Sequence, residues 1–143
     1  MIIAFDFDGT LADITHRLHF IKDGRKDWPA FYRACVDDTP IAPIVTLCAS
    51  LVWAGHAIQI WSGRSDIVRA ESEHWLNQYA IVHSGLRMRK DGDYRQDAVV
   101  KAEWLESLPE AERPQLAFDD RQQVVDMWRA HGVRCCQVAP GDF

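Results

Sequence analysis

The chain has 143 residues, 48% of them hydrophobic and 26% charged, which suits one domain built on one main core. A formal net charge of −5 argues against a long nucleic-acid track, which needs a basic excess, and leaves room for contact with a few phosphates. No apolar run approaches the length of a membrane span, and the opening Met-Ile-Ile-Ala-Phe is too short and lacks the basic start of a signal peptide, so a cytoplasmic location is expected.

In chain order, the apolar run Met1–Phe7 ends in Asp6-Phe7-Asp8-Gly9, a strand entering a turn. The segment Ala12–Thr39 then breaks the regular pattern. It predicts a small, mostly helical cap, inserted at about 12–39 between core segments 1–11 and 40–143. Its Trp28, Phe31 and Tyr32 could stack on a base, but their spacing favours the cap's own small core. His16 and His19, beside Arg17, could contact a substrate. A helix is predicted over Ile41–Ala54 and a strand over His56–Trp61, closed by Ser62-Gly63-Arg64. A second helix is predicted over Ile67–Tyr79 and a short strand over Leu86–Arg89. Further helices follow over Ala98–Leu108 and Gln122–Ala130. The remaining strands are Gln115–Phe118, ending at Asp119-Asp120, and Val133–Val138. Gly55 and Gly132 stand where helix C-caps belong. Trp53, Trp75, Trp104 and Trp128 fall within helical patterns and read as packing residues.

Cys35, Cys48, Cys135 and Cys136 show no C-x-x-C spacing, so a zinc site is unsupported and reduced thiols are expected. Cys135 and Cys136 should point to opposite faces of their strand. Strands alternating with helices define an α/β fold, a three-layer Rossmann-like parallel sheet with helices on both faces. Ligands of such folds bind at the carboxyl ends of the strands. Three of those ends deliver polar groups here: Asp6 and Asp8, Ser62 and Arg64, Asp119 and Asp120.

Those residue types suit phosphate-ester cleavage. A carboxylate can attack phosphorus and split one hard displacement into two. It needs a cation, because an anion must approach an anion, and magnesium prefers oxygen ligands. Asp6 and Asp8 can divide the work, one as nucleophile and the other as proton donor, with like charge keeping one of them protonated. Taken singly, each motif has a plainer reading. Asp6-x-Asp8 is common turn material. Ser62-Gly63-Arg64 can cradle phosphate at a helix start, or Ser62 or Ser65 can simply cap that helix. Lys101 can neutralise developing charge or be a solvated helix residue. Asp119-Asp120 can bind metal or favour a helix N-terminus.

All four occur in one order, and together they resemble the haloacid dehalogenase superfamily of aspartate-nucleophile phosphatases: Asp6-Phe-Asp8-Gly-Thr10, Trp61-Ser62-Gly63-Arg64, Lys101 and Phe118-Asp119-Asp120. The resemblance implies Asp6 as nucleophile and metal ligand. It implies Asp8 as acid/base with a main-chain metal contact, Ser62 with Gly63 on the phosphate, and Lys101 steadying both nucleophile and phosphate. Asp120 completes the Mg²⁺ site, with Asp119 bound directly or through water. A narrower likeness, to the 3′-phosphatase domain of phage polynucleotide kinase/phosphatases, is carried by Thr10-Leu-Ala-Asp13…His16-Arg17 and Gly92-Asp-Tyr-Arg-Gln-Asp97…Val100-Lys101. Phe118–Arg129 and the closing Cys136-Gln-Val…Gly141-Asp-Phe143 add to it. It implies substrate- or phosphate-binding roles for Arg17, Arg64 and Asp97, arginine's planar fork suiting bidentate phosphate contact. Without the resemblance Arg17 reads as a solvated helix residue and Asp97 as an N-cap. Arg121 could reach a phosphate or serve the surface.

The expectation is therefore a magnesium-dependent phosphomonoesterase acting on a phosphorylated nucleic-acid end, most simply a 3′-phosphate. The alternatives are a (deoxy)nucleotide monophosphatase and a non-catalytic binding scaffold. No P-loop motif occurs, so the chain corresponds at most to the phosphatase half of such enzymes.

Overall fold

The computed structural model describes Met1–Gly141, and Asp142 and Phe143 of the closing motif lie outside the described residues. Along β1 (Ile2–Phe5), Ile3 and Phe5 face one side and Ala4 the other, and all three are buried. A strand with two apolar faces must be covered on both. Two short strands, β2 (Ala12–Asp13) and β3 (Thr39–Pro40), pair antiparallel at the ends of the insert. Between them lie the helix α1 (Trp28–Arg33) and 3₁₀ turns over Thr15–Phe20 and Ala34–Asp37. The core continues through α2 (Ala42–Trp53), β4 (Ala57–Ser65), α3 (Arg69–Gln78), β5 (Gly85–Arg89), α4 (Asp97–Glu106), β6 (Leu116–Asp119), α5 (Gln122–Ala130) and β7 (Arg134–Gln137).

The five core strands form one parallel sheet in the order β5-β4-β1-β6-β7. Ile3, Phe5, Ile58 and Ile60 pack on one face under α2 and α3, with Trp75 and Leu76. Ala4, Trp61 and Ala117 pack on the other under α4 and α5, with Leu105, Val124, Val125 and Trp128. Three layers result, as the alternation of the sequence predicts. Gly55 and Gly132, at φ +84° and +78°, end α2 and α5 in the left-handed conformation that glycine adopts without steric cost. Among the described residues no helix is long and apolar enough to cross a membrane.

Three details depart from the sequence reading. The strand predicted to close at Trp61 runs on through Ser65, because its pairing with β5 resumes after a register shift between Ser62 and Ser65. Ser62 therefore sits in a strand and not at a helix start. It is Ser65 that caps the 3₁₀ turn Asp66–Val68 leading into α3. Trp53, read as a packing residue, is 92% exposed at the end of α2, whereas Trp75 and Trp128 are buried and Trp104 packs edge-on against Trp61. Asp97 is the first residue of α4 and not its N-cap, which is Gln96. All four thiols are free, with Cys135 inward and Cys136 outward.

Candidate functional site

β1 and β6 run side by side, so their carboxyl ends bring Asp6 beside Asp119 and Asp120. One carboxylate oxygen from each of these buried acids lies within 4.8 Å of the other two. Lys101, projecting from α4 and fully buried, donates to Asp6 Oδ1 at 2.6 Å and Asp119 Oδ2 at 2.9 Å. It also meets Asp97 Oδ2 one helical turn earlier at 3.2 Å. Asp119 Oδ1 accepts from the Arg121 main chain at 3.2 Å. Both Asp119 oxygens are thus engaged within the chain, whereas Asp120 Oδ1 is buried and has no hydrogen-bond partner among the described residues. A buried carboxylate oxygen without a donor is costly unless a cation or proton satisfies it. The donor set is all oxygen, which suits a hard divalent cation such as Mg²⁺. Gly9 leaves the space the Asp120 carboxylate fills, since a Cβ there would collide with it.

Without a cation these acids resist ionisation. Burial, then the negative charge of Asp119, pushes Asp120 up to about 7, and burial raises Asp6 and Asp119 as well. An unfolded Asp titrates near 3.8, so between that value and about 7 the folded chain holds more protons than the unfolded one. This contribution to stability is complete below the lower value and is lost as pH rises through the upper one. Thermal melts in chelator should therefore show the melting temperature falling from pH 5 to pH 8. Mg²⁺ should remove most of that fall, and Asp120→Asn should flatten it.

Asp8 is held differently. Its Oδ1 accepts from Arg64 Nε at 2.6 Å and Arg17 Nη2 at 2.8 Å. Burial alone would raise it, but Arg64 and Arg17 prevail and hold its carboxyl below the ordinary value. The two arginines thus dominate at Asp8, whereas Asp119, Asp120 and Asp97 are the like charges that help raise Asp6. The two arginines also share Asp38, which accepts from Arg17 Nε and Nη2 at 2.7 Å each and from Arg64 Nη2 at 2.6 Å. Arg17 lies over the Phe31 ring at 4.2 Å and Arg64 over Phe7 at 3.7 Å. Both are buried, and neither lines the cavity described below. Their forks are thus engaged by two carboxylates, Asp8 and Asp38.

A cavity of about 420 Å³ opens beside Asp6, Asp8, Gly63 and Asp97. Lys26, Trp28, Phe31 and Tyr32 of the insert form one wall, and Arg89, Asp93, Tyr94, Arg95 and Gln96 another, with Arg121 and Gln123 also lining it. Trp28, Phe31 and Tyr32 do pack on one another, at ring separations of 5.6 to 6.0 Å, yet Trp28 and Tyr32 are only half-buried. Ser62 is buried and does not line the cavity, its hydroxyl accepting from the Arg64 main chain at 3.2 Å. His16 turns to Asp38 and His19 to the His16 carbonyl, so neither reaches the cavity.

Two residues at this site escaped the sequence reading. Asp38 offers no motif, and its only signal is a charge count, because Arg17 and Arg64 beside Asp8 require a second acid. Asp38→Asn should leave two buried guanidiniums sharing the single carboxylate of Asp8 and lower stability by about 3 kcal/mol or more, read by urea denaturation. Arg89 ends β5 and so carries the same strand-end signal as the other motifs. Its Nε donates to the Gly63 carbonyl at 2.9 Å and its Nη2 to Asp97 Oδ1 at 3.4 Å, which fastens Gly63 and Asp97 together.

Comparison with known proteins gives the family and the fold. The family model described as "Polynucleotide kinase PNKP phosphatase domain" matches residues 1–143. A chain in the structure of the Pnkp1/Rnl/Hen1 RNA repair complex is 31% identical, with a TM-score of 0.83, over 99% of this chain and 43% of that one. A second structure of the Pnkp1/Rnl/Hen1 complex gives 32% identity and a TM-score of 0.83, over 99% and 47%. This chain thus spans less than half the length of either. A haloacid dehalogenase-like hydrolase from Streptococcus pneumoniae shares the fold, with a TM-score of 0.66 at 15% identity over 95% and 83%.

Proposed function

The chain belongs to the polynucleotide kinase PNKP phosphatase domain family, within the haloacid dehalogenase-like phosphatases, and on that premise we propose that it removes a terminal 3′-phosphate from nucleic-acid ends in a magnesium-dependent reaction through phosphorylated Asp6. The observation that carries the reading is Asp6 itself. Lys101 fixes its Oδ1, while the carboxylate borders an open cavity next to a second, separately held acid.

Asp6, Asp119, Asp120 and the Asp8 main-chain carbonyl would hold Mg²⁺, with Asp120 the acid that has an oxygen to give. When bound, the ion neutralises negative charge on the phosphoryl group and on the acids around it. Lys101 adds positive charge on the side of Asp6 and keeps that carboxylate aimed. An Asp6 oxygen forms a bond to phosphorus as the ester P–O bond breaks, and the departing oxygen takes a proton from Asp8. Water then attacks the same phosphorus, gives its proton to Asp8, and releases inorganic phosphate with Asp6 regenerated. The arginines hold Asp8 in place and favour its anion, ready for the second step. A doubly negative phosphate beside it opposes them and favours the protonated form that the first step needs. The cavity is large enough for more than phosphate, and its aromatic and cationic walls suit a nucleotide residue.

The test is phosphate release from a 3′-phosphorylated oligonucleotide, compared with nucleoside monophosphates, in Mg²⁺ and in chelator. Preference for the oligonucleotide and loss of release in chelator are expected. Preference for mononucleotides would shift the substrate to the nucleotide monophosphatase reading while leaving the reaction class in place.

A further inference from the structure

One aromatic residue on the cavity wall stands almost fully exposed on a loop that is firmly held. Tyr94 is 86% exposed, and among the described residues its ring and hydroxyl have no bonded or stacked partner. The loop beneath it is fixed. Arg89, only 8% exposed, donates through Nη1 to the carbonyls on either side, Asp93 at 3.1 Å and Arg95 at 2.6 Å. The Asp93 carboxylate accepts from the Arg95 main chain at 3.1 Å and from its guanidinium at 2.7 Å. Arg95 also bridges to Glu103 of α4 at 2.6 Å.

A buried arginine and a closed ion pair are thus committed to one solvent-facing phenol that shares a cavity with Asp6. Folding gains nothing visible from Tyr94, since an exposed tyrosine buries little apolar area. Binding gains much, because with the loop backbone held only the two side-chain torsions of Tyr94 are left to order when a flat ligand stacks on its ring. Arg89 also reaches Gly63 and Asp97, so the loop that carries Tyr94 is tied to the residues around the attacking carboxylate.

We propose that Tyr94 is the specificity residue of this site, stacking on the nucleobase of the nucleotide whose phosphate Asp6 attacks. The proposal rests on Asp6 as the phosphate-accepting group. It adds that the site recognises a base and not only a phosphorylated sugar. Tyr94 works through its π-face, so Phe should replace it and Ala should not. It takes no part in the proton transfers, and its removal raises KM while sparing kcat.

The experiment measures kcat and KM for the wild type, Tyr94→Phe and Tyr94→Ala on two matched pairs in Mg²⁺. One pair is a 3′-phosphorylated oligonucleotide ending in an ordinary nucleotide and the same oligonucleotide ending in an abasic residue. The other is a nucleoside monophosphate and the corresponding sugar phosphate. Tyr94→Ala should raise KM about tenfold on the base-bearing member of whichever pair the wild type prefers, and leave the base-free member unchanged. Tyr94→Phe should behave as wild type. Equal effects of Tyr94→Ala on both members, or no effect on either, would overturn the proposal. Wild-type preference for the monophosphate pair would instead reject the oligonucleotide-end reading, and the Tyr94 comparison would still be decided on that pair.

Discussion

Asp6→Asn should abolish phosphate release, with kcat lower by about four orders of magnitude or more. The amide keeps the size of the carboxylate but cannot become an acyl phosphate under these conditions. The fold should survive the change. Asp97 and Asp119 still surround Lys101, and Ile3, Ala4 and Phe5 still anchor β1 in the core. Asp6 is moreover an acid whose ionisation burial opposes, so the Asn variant should lose less stability than the wild type as pH rises in chelator. Inactivity with an unchanged or higher melting temperature separates a chemical role from a structural one. Retained turnover would remove Asp6 from the reaction.

Lys101→Met should be the most damaging substitution for both folding and activity. Lys101 is buried, yet Asp119, Asp6 and Asp97 hold its ammonium charged well beyond the ordinary lysine range. Without it, Asp6 and Asp119 lose the cation they share, and Asp97 keeps only its longer contact with Arg89 at 3.4 Å. Removing one partner of a buried ion cluster costs about 3–5 kcal/mol. The sign with pH follows from the acids left behind. They would take up protons to escape the repulsion, so the deficit should be small near pH 4 and grow toward pH 8. Mg²⁺ should recover part of the stability, because its positive charge falls on the same oxygens. Activity should fall by about a hundredfold to a thousandfold even in saturating Mg²⁺, the scale on which fixed charge at a reacting centre acts. Lys101→Arg should not restore it, since a planar fork does not fit a pocket shaped around a single ammonium. Urea denaturation at two pH values and steady-state kinetics read these effects together.

The parts of this architecture that were legible before folding share one cause. Parallel strands buried on both faces write continuous apolar runs, and any acid at the end of such a run marks the ligand edge of the sheet. Asp6, Asp8, Asp119 and Asp120 were visible for that reason, and the order of the sheet places three of them together. Lys101 was legible only through its company, because nothing in a helical pattern separates a solvated lysine from a buried one. Arg17 and Arg64 are legible as site residues, but their carboxylate partners are not. Sequence places an arginine near a phosphate site without saying which acid claims its fork, and Asp38, separated from Arg17 by 21 positions, claims both. The extension of β4 through Ser65 was hidden by Gly63, which reads as a turn. In the structure a Cβ at Gly63 would lie 2.6 Å from Asp97 Oδ1, so glycine is there for close approach. Trp53 misled because helical periodicity reports which residues share a face and not whether that face is covered.

The central claim concerns which atom receives the phosphoryl group. The most direct measurement is acid quenching during turnover of a 3′-phosphorylated oligonucleotide, followed by borohydride reduction and peptide mass spectrometry. An acyl phosphate on a carboxylate is reduced to an alcohol, which leaves homoserine in place of aspartate. Conversion at position 6 and at no other acid is the predicted result. Conversion at position 8, or no conversion while phosphate is being released, would contradict it.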